Sequence, residues 1–183
     1  SARIQLTREL DSDDYRTFVE SLRAFVNTPA AGAARMDPTT PHRIRDTAGS
    51  RIWTAYERVR AFEPILRWAD VPTLHELRIH GKWLRYSLEF VREALGPETP
   101  LLIGRVVALQ DHLGLMNDAD VAVTASRAFL VQRAARLAEE ESAAIGRYLM
   151  SRERELSRLR ATVGTPWRGV ASPAVRRALG RAL

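Results

Sequence analysis

Hydrophobic side chains recur every three to four residues through most of the chain, the spacing of helices with one buried face. Alternating β-branched positions are scarce, and prolines and glycines mostly stand between the periodic segments. The pattern predicts an all-α protein, an antiparallel helical bundle with short turns. The predicted helices are 12–27, 42–67, 73–95, 99–113, 117–137, a segment ending near 163, and a short terminal helix that begins at Ser172-Pro173.

Capping residues mark several of these helix ends. Ser12 precedes two aspartates and a periodic apolar run, as an N-cap residue does. Gly114 is predicted to end the helix before it, and Asn117 or Asp118 to cap the next one. Neither glycine nor proline separates the 117–137 helix from the segment that follows, so one long helix and a hairpin both stay open.

The 73–95 helix carries a row of basic groups beside its apolar face. At 100° per residue, His75, Arg78, Lys82 and Arg85 fall within roughly 80° of one another. The leucines of the same helix gather about 120° away and form the seam expected to face the core. The row covers about 15 Å of helix, which suits a linear polyanion better than a compact metabolite.

Lys82 is the only lysine among 28 basic residues, and the others are arginines. Such an excess of arginine is typical of a high-GC genome. A charged row beside a core seam is usually a solvated helix face, and Glu89 at its end would neutralise part of the charge. On physical grounds alone, the row is therefore compatible with a solvated surface as well as with a binding surface.

Two further places offer cationic groups. Arg51 and Arg58 are seven residues apart and aligned on the 42–67 helix, where they would extend the row if the two helices pack side by side. Arg105 and His112 share a helix face and would add to an anion site. Taken alone, each pair is more simply explained by solvated side chains.

The net charge of +6 and a pI near 10.6 favour an anionic partner, such as a nucleic acid, a phosphate polymer or an acidic surface. The absence of cysteine excludes a disulfide framework and thiolate metal sites. No apolar run approaches the ~18 residues of a membrane span, and the N-terminus lacks an apolar signal region. These features fit a cytoplasmic protein with no membrane partner.

The sequence lacks the common catalytic patterns. It contains no H-E-x-x-H, no G-x-S-x-G and no glycine-rich phosphate loop. It therefore predicts no catalytic residue, no cofactor and no metal centre. Two alternatives stay open: non-specific binding to a nucleic-acid backbone, and an enzyme acting on phosphate compounds with a metal held by Asp111, Asp118 or Asp120.

Two motifs follow each other along the chain. Residues 75–86 read H-x-x-R-x-x-x-K-x-L-R-Y, and residues 109–118 read L-Q-x-x-L-G-x-x-N-D. Taken as a pair, they resemble the CHAD family, the conserved histidine α-helical domain. The resemblance is clear over residues 73–130 and extends less closely over 42–163.

This resemblance implies a fold, a ligand and a set of contacts. The family is built of two four-helix halves related by pseudo-two-fold symmetry, with basic residues lining a central surface. Its members bind inorganic polyphosphate, and some are found at polyphosphate granules. By position, the resemblance marks His75, Arg78, Lys82 and Arg85 as contacts to the polyanion, with Tyr86 in support.

The expected function is non-enzymatic binding of inorganic polyphosphate by the 73–95 helix. Neighbouring helices are expected to assist through Arg51 and Arg58, with Arg105 and His112 in supporting positions. Affinity should fall steeply with salt, because bound counterions are released from the polymer. It should rise below about pH 6.5, the range in which a histidine such as His75 becomes charged.

One such motif is present where two symmetric halves would carry two. Residues 1–28 are therefore expected to hold a helix of a preceding half that is missing, followed by a linker at 29–41. The bundle itself is expected over 42–163, and a C-terminal extension with a short helix over 164–183. A second copy of the chain would supply the missing wall, which makes a homodimer one expected form.

Overall fold

The computed structural model describes residues 2–33 and 43–183. Over these ranges the regular secondary structure is helical, without strands, which confirms the all-α prediction. Most of the predicted 29–41 linker lies outside the described residues. The helices are α1 (Ala2–Leu10), α2 (Asp13–Asn27), α3 (Ile44–Arg60), α4 (Val71–Phe90), α5 (Thr99–Arg133), α6 (Glu139–Thr162), α7 (Gly164–Ala171) and α8 (Pro173–Ala182).

The chain divides into two compact units, residues 1–42 and 43–183. The first unit contains α1 and α2. Ser12 caps α2 as predicted, because its hydroxyl oxygen accepts a hydrogen bond of 3.1 Å from the Tyr15 amide. Helix α1 is an addition to the single helix expected for this segment. Neither helix contains a buried residue, and apolar side chains such as Phe18 and Phe25 are exposed.

The second unit is organised around α5. This helix packs against α4, α6, α7 and α8, and α4 packs in addition against α3. Apolar side chains from these helices form one continuous core. The largest fully buried side chains in it include Ile52, Tyr56, Leu77, Leu84, Leu88, Leu109, Met116 and Leu179.

Helices α3 and α4 both differ in extent from the predicted segments. Helix α3 ends at Arg60, because Pro64 offers no amide hydrogen and the chain continues in successive turns instead of reaching residue 67. Helix α4 begins two residues before the predicted start, where Asp70 accepts a 2.9 Å hydrogen bond from the Thr73 amide. Hydrogen bonding by Thr73 also holds the pKa of Asp70 below its ordinary value. The helix ends at Phe90, short of the predicted residue 95.

The largest error of the sequence-based prediction concerns α5. The predicted helices 99–113 and 117–137 are one helix of 35 residues, and Gly114 and Asn117 lie inside it. Leu109, Leu113 and Met116 are all buried along one seam of this helix. Burying that seam without a break outweighs the roughly 1 kcal/mol that an interior glycine costs a helix. The chain breaks after Arg133 instead, in a short 3-10 turn before α6.

Substituting Gly114 by alanine should therefore stabilise the protein by about 0.5–1 kcal/mol, because no glycine here has the positive φ of a helix-ending glycine. A Cβ atom at this position would lie 3.9 Å from Nε of Arg78, an ordinary contact. Chemical denaturation followed by circular dichroism measures the change. The opposite sign is expected for Gly96→Ala, whose Cβ would lie 3.0 Å from the Cα atom of Ala182. A destabilised Gly114→Ala variant would indicate a helix end at Gly114 after all.

The C-terminal residues 164–183 form two helices rather than one short helix on an extension. Ser172 caps α8 as predicted, accepting a 3.4 Å hydrogen bond from the Val175 amide. Trp167 and Leu179 are buried in the core of the second unit. The hydroxyl of Tyr56 also donates a 3.3 Å hydrogen bond to the Val170 carbonyl. These helices therefore pack against α5 as part of the same core.

Across the described ranges, none of the helices is both long enough and apolar enough to cross a lipid bilayer.

Candidate anion-binding site

The 75–86 and 109–118 motifs meet at two glycines. Gly81 of α4 is buried, and a Cβ atom there would lie 3.5 Å from Cγ of Gln110 on α5. Gly114 of α5 faces Arg78 in the same way. A Cβ atom at either position would make an ordinary contact with the facing side chain, so both glycines lie in the packed contact between α4 and α5. The two motifs, separate in sequence, therefore form one structural unit.

A groove opens between α4 and α5 where these motifs meet, and is called here the α4–α5 groove. It has a volume of about 580 Å³ and is open to solvent. It brings together three of the four predicted contacts on α4, with Tyr86 beside them. Its lining consists of Arg78, Lys82, Arg85, Tyr86, Gln110, Asp111, Gly114, Leu115 and Asp118.

The three cations of the groove differ in how far their charge is compensated. Arg85 Nε lies 3.6 Å from a carboxylate oxygen of Glu89, and its guanidinium lies 4.8 Å from the centre of the Tyr86 ring. Within the described ranges, no carboxylate forms an ion pair with Arg78 or Lys82. The neutralisation by Glu89 that the sequence suggested is thus confined to the end of the row.

His75 stands at the end of the row and links it to the second motif. Its Nδ1 atom lies 3.0 Å from the side-chain oxygen of Asn117, so this hydrogen bond joins α4 to α5. The histidine is exposed and is not part of the groove lining. The other ring nitrogen, Nε2, is not used in this hydrogen bond and can serve as a contact to an anion.

Two aspartates of α5 also line the groove. Asp111 and Asp118 are seven residues apart, and both side chains are exposed on the groove face. The sequence singled them out as metal ligands, but not as neighbours of the basic row. Asp120, the third candidate ligand, is not part of the lining. In the part of the chain that the structure describes, no three histidine, aspartate or glutamate side chains are grouped to hold a metal.

Gln110 is a groove residue that the sequence reasoning did not assign. It is only 8% exposed, and its Nε2 atom has no hydrogen-bond partner among the described residues. A buried amide without a hydrogen-bond partner lowers the free energy of unfolding by about 1–3 kcal/mol. The stability of the fold therefore does not explain a polar side chain at this position. The sequence feature that could have identified it is a glutamine beside the core positions of an apolar helix, one residue after Leu109.

Arg51 and Arg58 line a different groove, of about 330 Å³, between α3 and α4. Both are exposed and reach the opposite flank of α4, beside Trp83. Tyr86 connects the two flanks, because it lines the α4–α5 groove and also an apolar pocket that includes Arg51. The predicted extension of the basic row thus lies across the exposed ridge of α4 and not within the α4–α5 groove.

Arg105 and His112 share one face of α5, as the spacing predicts, but that face points about 140° away from the α4–α5 groove. The Nε2 atom of His112 lies 2.8 Å from the Leu159 carbonyl oxygen of α6, so this histidine serves a helix–helix contact. Arg105 lines a cavity formed with α7 and α8. Neither residue therefore reaches the groove that holds the basic row.

Comparison with protein families agrees with the resemblance carried by the two motifs. The family model for the CHAD domain matches residues 1–127, more than two thirds of the chain. The matched range includes both motifs and all of α4. A search of curated proteins with the whole chain found no significant match.

Proposed function

Because the chain belongs to the CHAD family, we propose that it binds inorganic polyphosphate in the α4–α5 groove without catalysing a reaction. The observation that carries this proposal is the pair Arg78 and Lys82. Both side chains line one open groove, and neither has a carboxylate partner among the described residues. Neither cation is held in an ion pair, so both can contact a polyanion, although Asp111 and Asp118 line the same groove.

Each group would contribute differently to holding the polymer. Arg78 and Arg85 would make forked hydrogen bonds to phosphate oxygens, and Lys82 would act as a point charge between them. The unpaired amide of Gln110 would donate to a phosphate oxygen at the wall of the groove. His75 would add a further donor at the end of the row. The contacts follow the helix axis, which is why a linear chain of phosphates fits better than a compact ion.

A long polymer would also reach the other flank of α4. The path passes over Tyr86, which borders both the groove and the pocket that contains Arg51. Arg51 and Arg58 would then hold phosphates beyond the groove. Arg105 and His112 have no place in this path, since they lie on another face of α5.

Removing the negative charge at Asp118 should strengthen polyphosphate binding. Asp118 faces the same groove as Lys82, so its carboxylate repels the ligand. Asp118→Asn is expected to raise the affinity about threefold to tenfold at low salt, the effect of a single exposed charge worth about 1 kcal/mol. Fluorescence anisotropy with labelled polyphosphate measures the change.

Asp120→Asn is the matched control for this prediction, because Asp120 lies two residues away on α5 and outside the groove lining. Equal gains for the two variants would indicate a general effect of net charge. A loss of affinity in Asp118→Asn that appears only with Mg²⁺ would instead favour a metal held between this aspartate and a phosphate.

The decisive experiment compares polymers under identical conditions. Long-chain polyphosphate and duplex DNA are titrated at equal phosphate concentration and moderate salt, with phosphate release followed with and without Mg²⁺. We expect tighter binding of polyphosphate, a steep dependence on salt and no turnover. Equal binding of both polymers would contradict specificity for polyphosphate, and phosphate release would contradict a non-enzymatic role.

The proposal extends to assembly and location. A second copy could place its own α4–α5 groove opposite the first and complete a channel for the polymer. Light scattering with and without polyphosphate should then detect a dimer.

In cells, the protein is expected in the cytoplasm at polyphosphate granules. A fluorescent fusion protein whose distribution does not change when granules form would contradict this location.

A further inference from the structure

A cavity between α5, α7 and α8 gathers arginines from three different helices. Arg105, Arg168 and Arg181 line it, together with the hydroxyl groups of Thr165 and Ser172. Its volume is about 460 Å³, and it is open to solvent. None of the residues that line it is acidic, in contrast to the α4–α5 groove with its two aspartates. It is called here the arginine cavity.

Two of the three guanidinium groups lack a carboxylate partner. Arg181 Nε donates a 2.8 Å hydrogen bond to a carboxylate oxygen of Glu98, and this bond lowers the pKa of Glu98. Arg168 donates only to the hydroxyl oxygen of Thr165, at 3.4 Å. Arg105 has no ion pair within the described ranges. The cavity therefore retains at least two uncompensated positive charges.

Arg105 of α5 lies beside Gly169 of α7. A Cβ atom on this glycine would lie 3.7 Å from both Cδ and Nη1 of Arg105. The guanidinium of Arg105 thus lies against the backbone of the residue that follows Arg168. Like charges in one cavity repel one another, and an anion bound between them offsets that repulsion because each cation attracts it.

We propose that the arginine cavity is a second anion site and that it binds a compact oligophosphate. Its cations come from three helices around one cavity, whereas those of the α4–α5 groove follow one helix axis. Planar guanidinium groups bind phosphate through paired hydrogen bonds, and the two hydroxyls can donate to the remaining oxygens. Arg168 and Arg181 lie beyond the residues 1–127 that match the CHAD domain, whereas Arg105 lies within them.

Isothermal titration of the full chain with inorganic tripolyphosphate tests the site. We expect Arg105→Gln together with Arg168→Gln to weaken binding about tenfold or more, because two charged hydrogen-bond donors are lost. Arg78→Gln with Lys82→Gln should weaken only the binding in the α4–α5 groove, so that a tripolyphosphate-binding event which depends on Arg105 and Arg168 remains. Arg147→Gln with Arg154→Gln on α6 removes the same charge outside both sites and serves as the control.

Ala174→Glu provides a variant that keeps the fold. Ala174 lies in the first turn of α8 and lines the cavity, so a glutamate there suits the helix dipole while repelling an anion. Tripolyphosphate should bind more weakly, with the melting temperature unchanged or raised. The site is disproved if the wild-type chain fails to bind tripolyphosphate or if the α6 control loses as much affinity. It is equally disproved if only the Arg78 and Lys82 pair matters.

Discussion

Replacing Arg78 and Lys82 together by glutamine is expected to weaken polyphosphate binding about a hundredfold. Each side chain offers charged hydrogen bonds worth about 1.5–3 kcal/mol, and each factor of ten in affinity corresponds to about 1.4 kcal/mol. Both side chains line the α4–α5 groove without a carboxylate partner in the described part of the chain. Their loss therefore removes attraction without leaving a buried acid unpaired.

The salt dependence of the same double variant gives an independent readout. Losing two phosphate contacts should reduce the slope of log affinity against log salt by about 1 to 2. Arg147→Gln with Arg154→Gln is the matched control, because both arginines are exposed on α6 and the net charge falls equally. If the control variant loses as much affinity and slope, binding depends on overall charge and not on the groove. Circular dichroism verifies that all variants remain helical.

Leu109→Ala should produce the largest loss of stability, about 2–5 kcal/mol. Leu109 is 0% exposed at the centre of the core, and shortening it leaves a cavity beside α5. Chemical denaturation should therefore show a much lower midpoint, and the melting temperature should fall by about 5–15 °C. Because the next residue is Gln110, a groove residue, the 109–118 motif serves the core on one side and the groove on the other.

Leu115→Ala is the control for this prediction, since Leu115 lies on the same helix and is 53% exposed. It should change the free energy of unfolding by only about 0.5 kcal/mol or less. Similar losses for the two leucines would mean that α5 does not bury the side that the structure assigns to the core. Binding measured well below the midpoint separates lost stability from lost affinity.

Local signals in the sequence predicted some features well. Ser12 and Ser172 cap their helices because a capping side chain acts on its own neighbours three residues away. The angles between side chains on one helix likewise follow from their spacing in the sequence, so Arg78, Lys82 and Arg85 were expected side by side. They share one groove in the structure.

Features that depend on a neighbouring helix could not be predicted in the same way. A glycine satisfies a helix end and a close helix contact equally well, because both need the absence of a Cβ atom. Gly114 was assigned to the first role, but it lies inside α5 and faces Arg78 of α4. The shared face of Arg105 and His112 was correct, but the sequence did not indicate which helices cover that face.

Because α5 is one unbroken helix, it fixes the angle between the direction of the arginine cavity and that of the α4–α5 groove. Arg105 faces the arginine cavity, and Gln110, Gly114 and Asp118 face the α4–α5 groove on the same helix. Inserting one residue between them would rotate one surface against the other by about 100°, whereas inserting seven would leave them about 20° from their present alignment. Length changes in this segment of related chains should therefore occur in steps that approach whole helical turns.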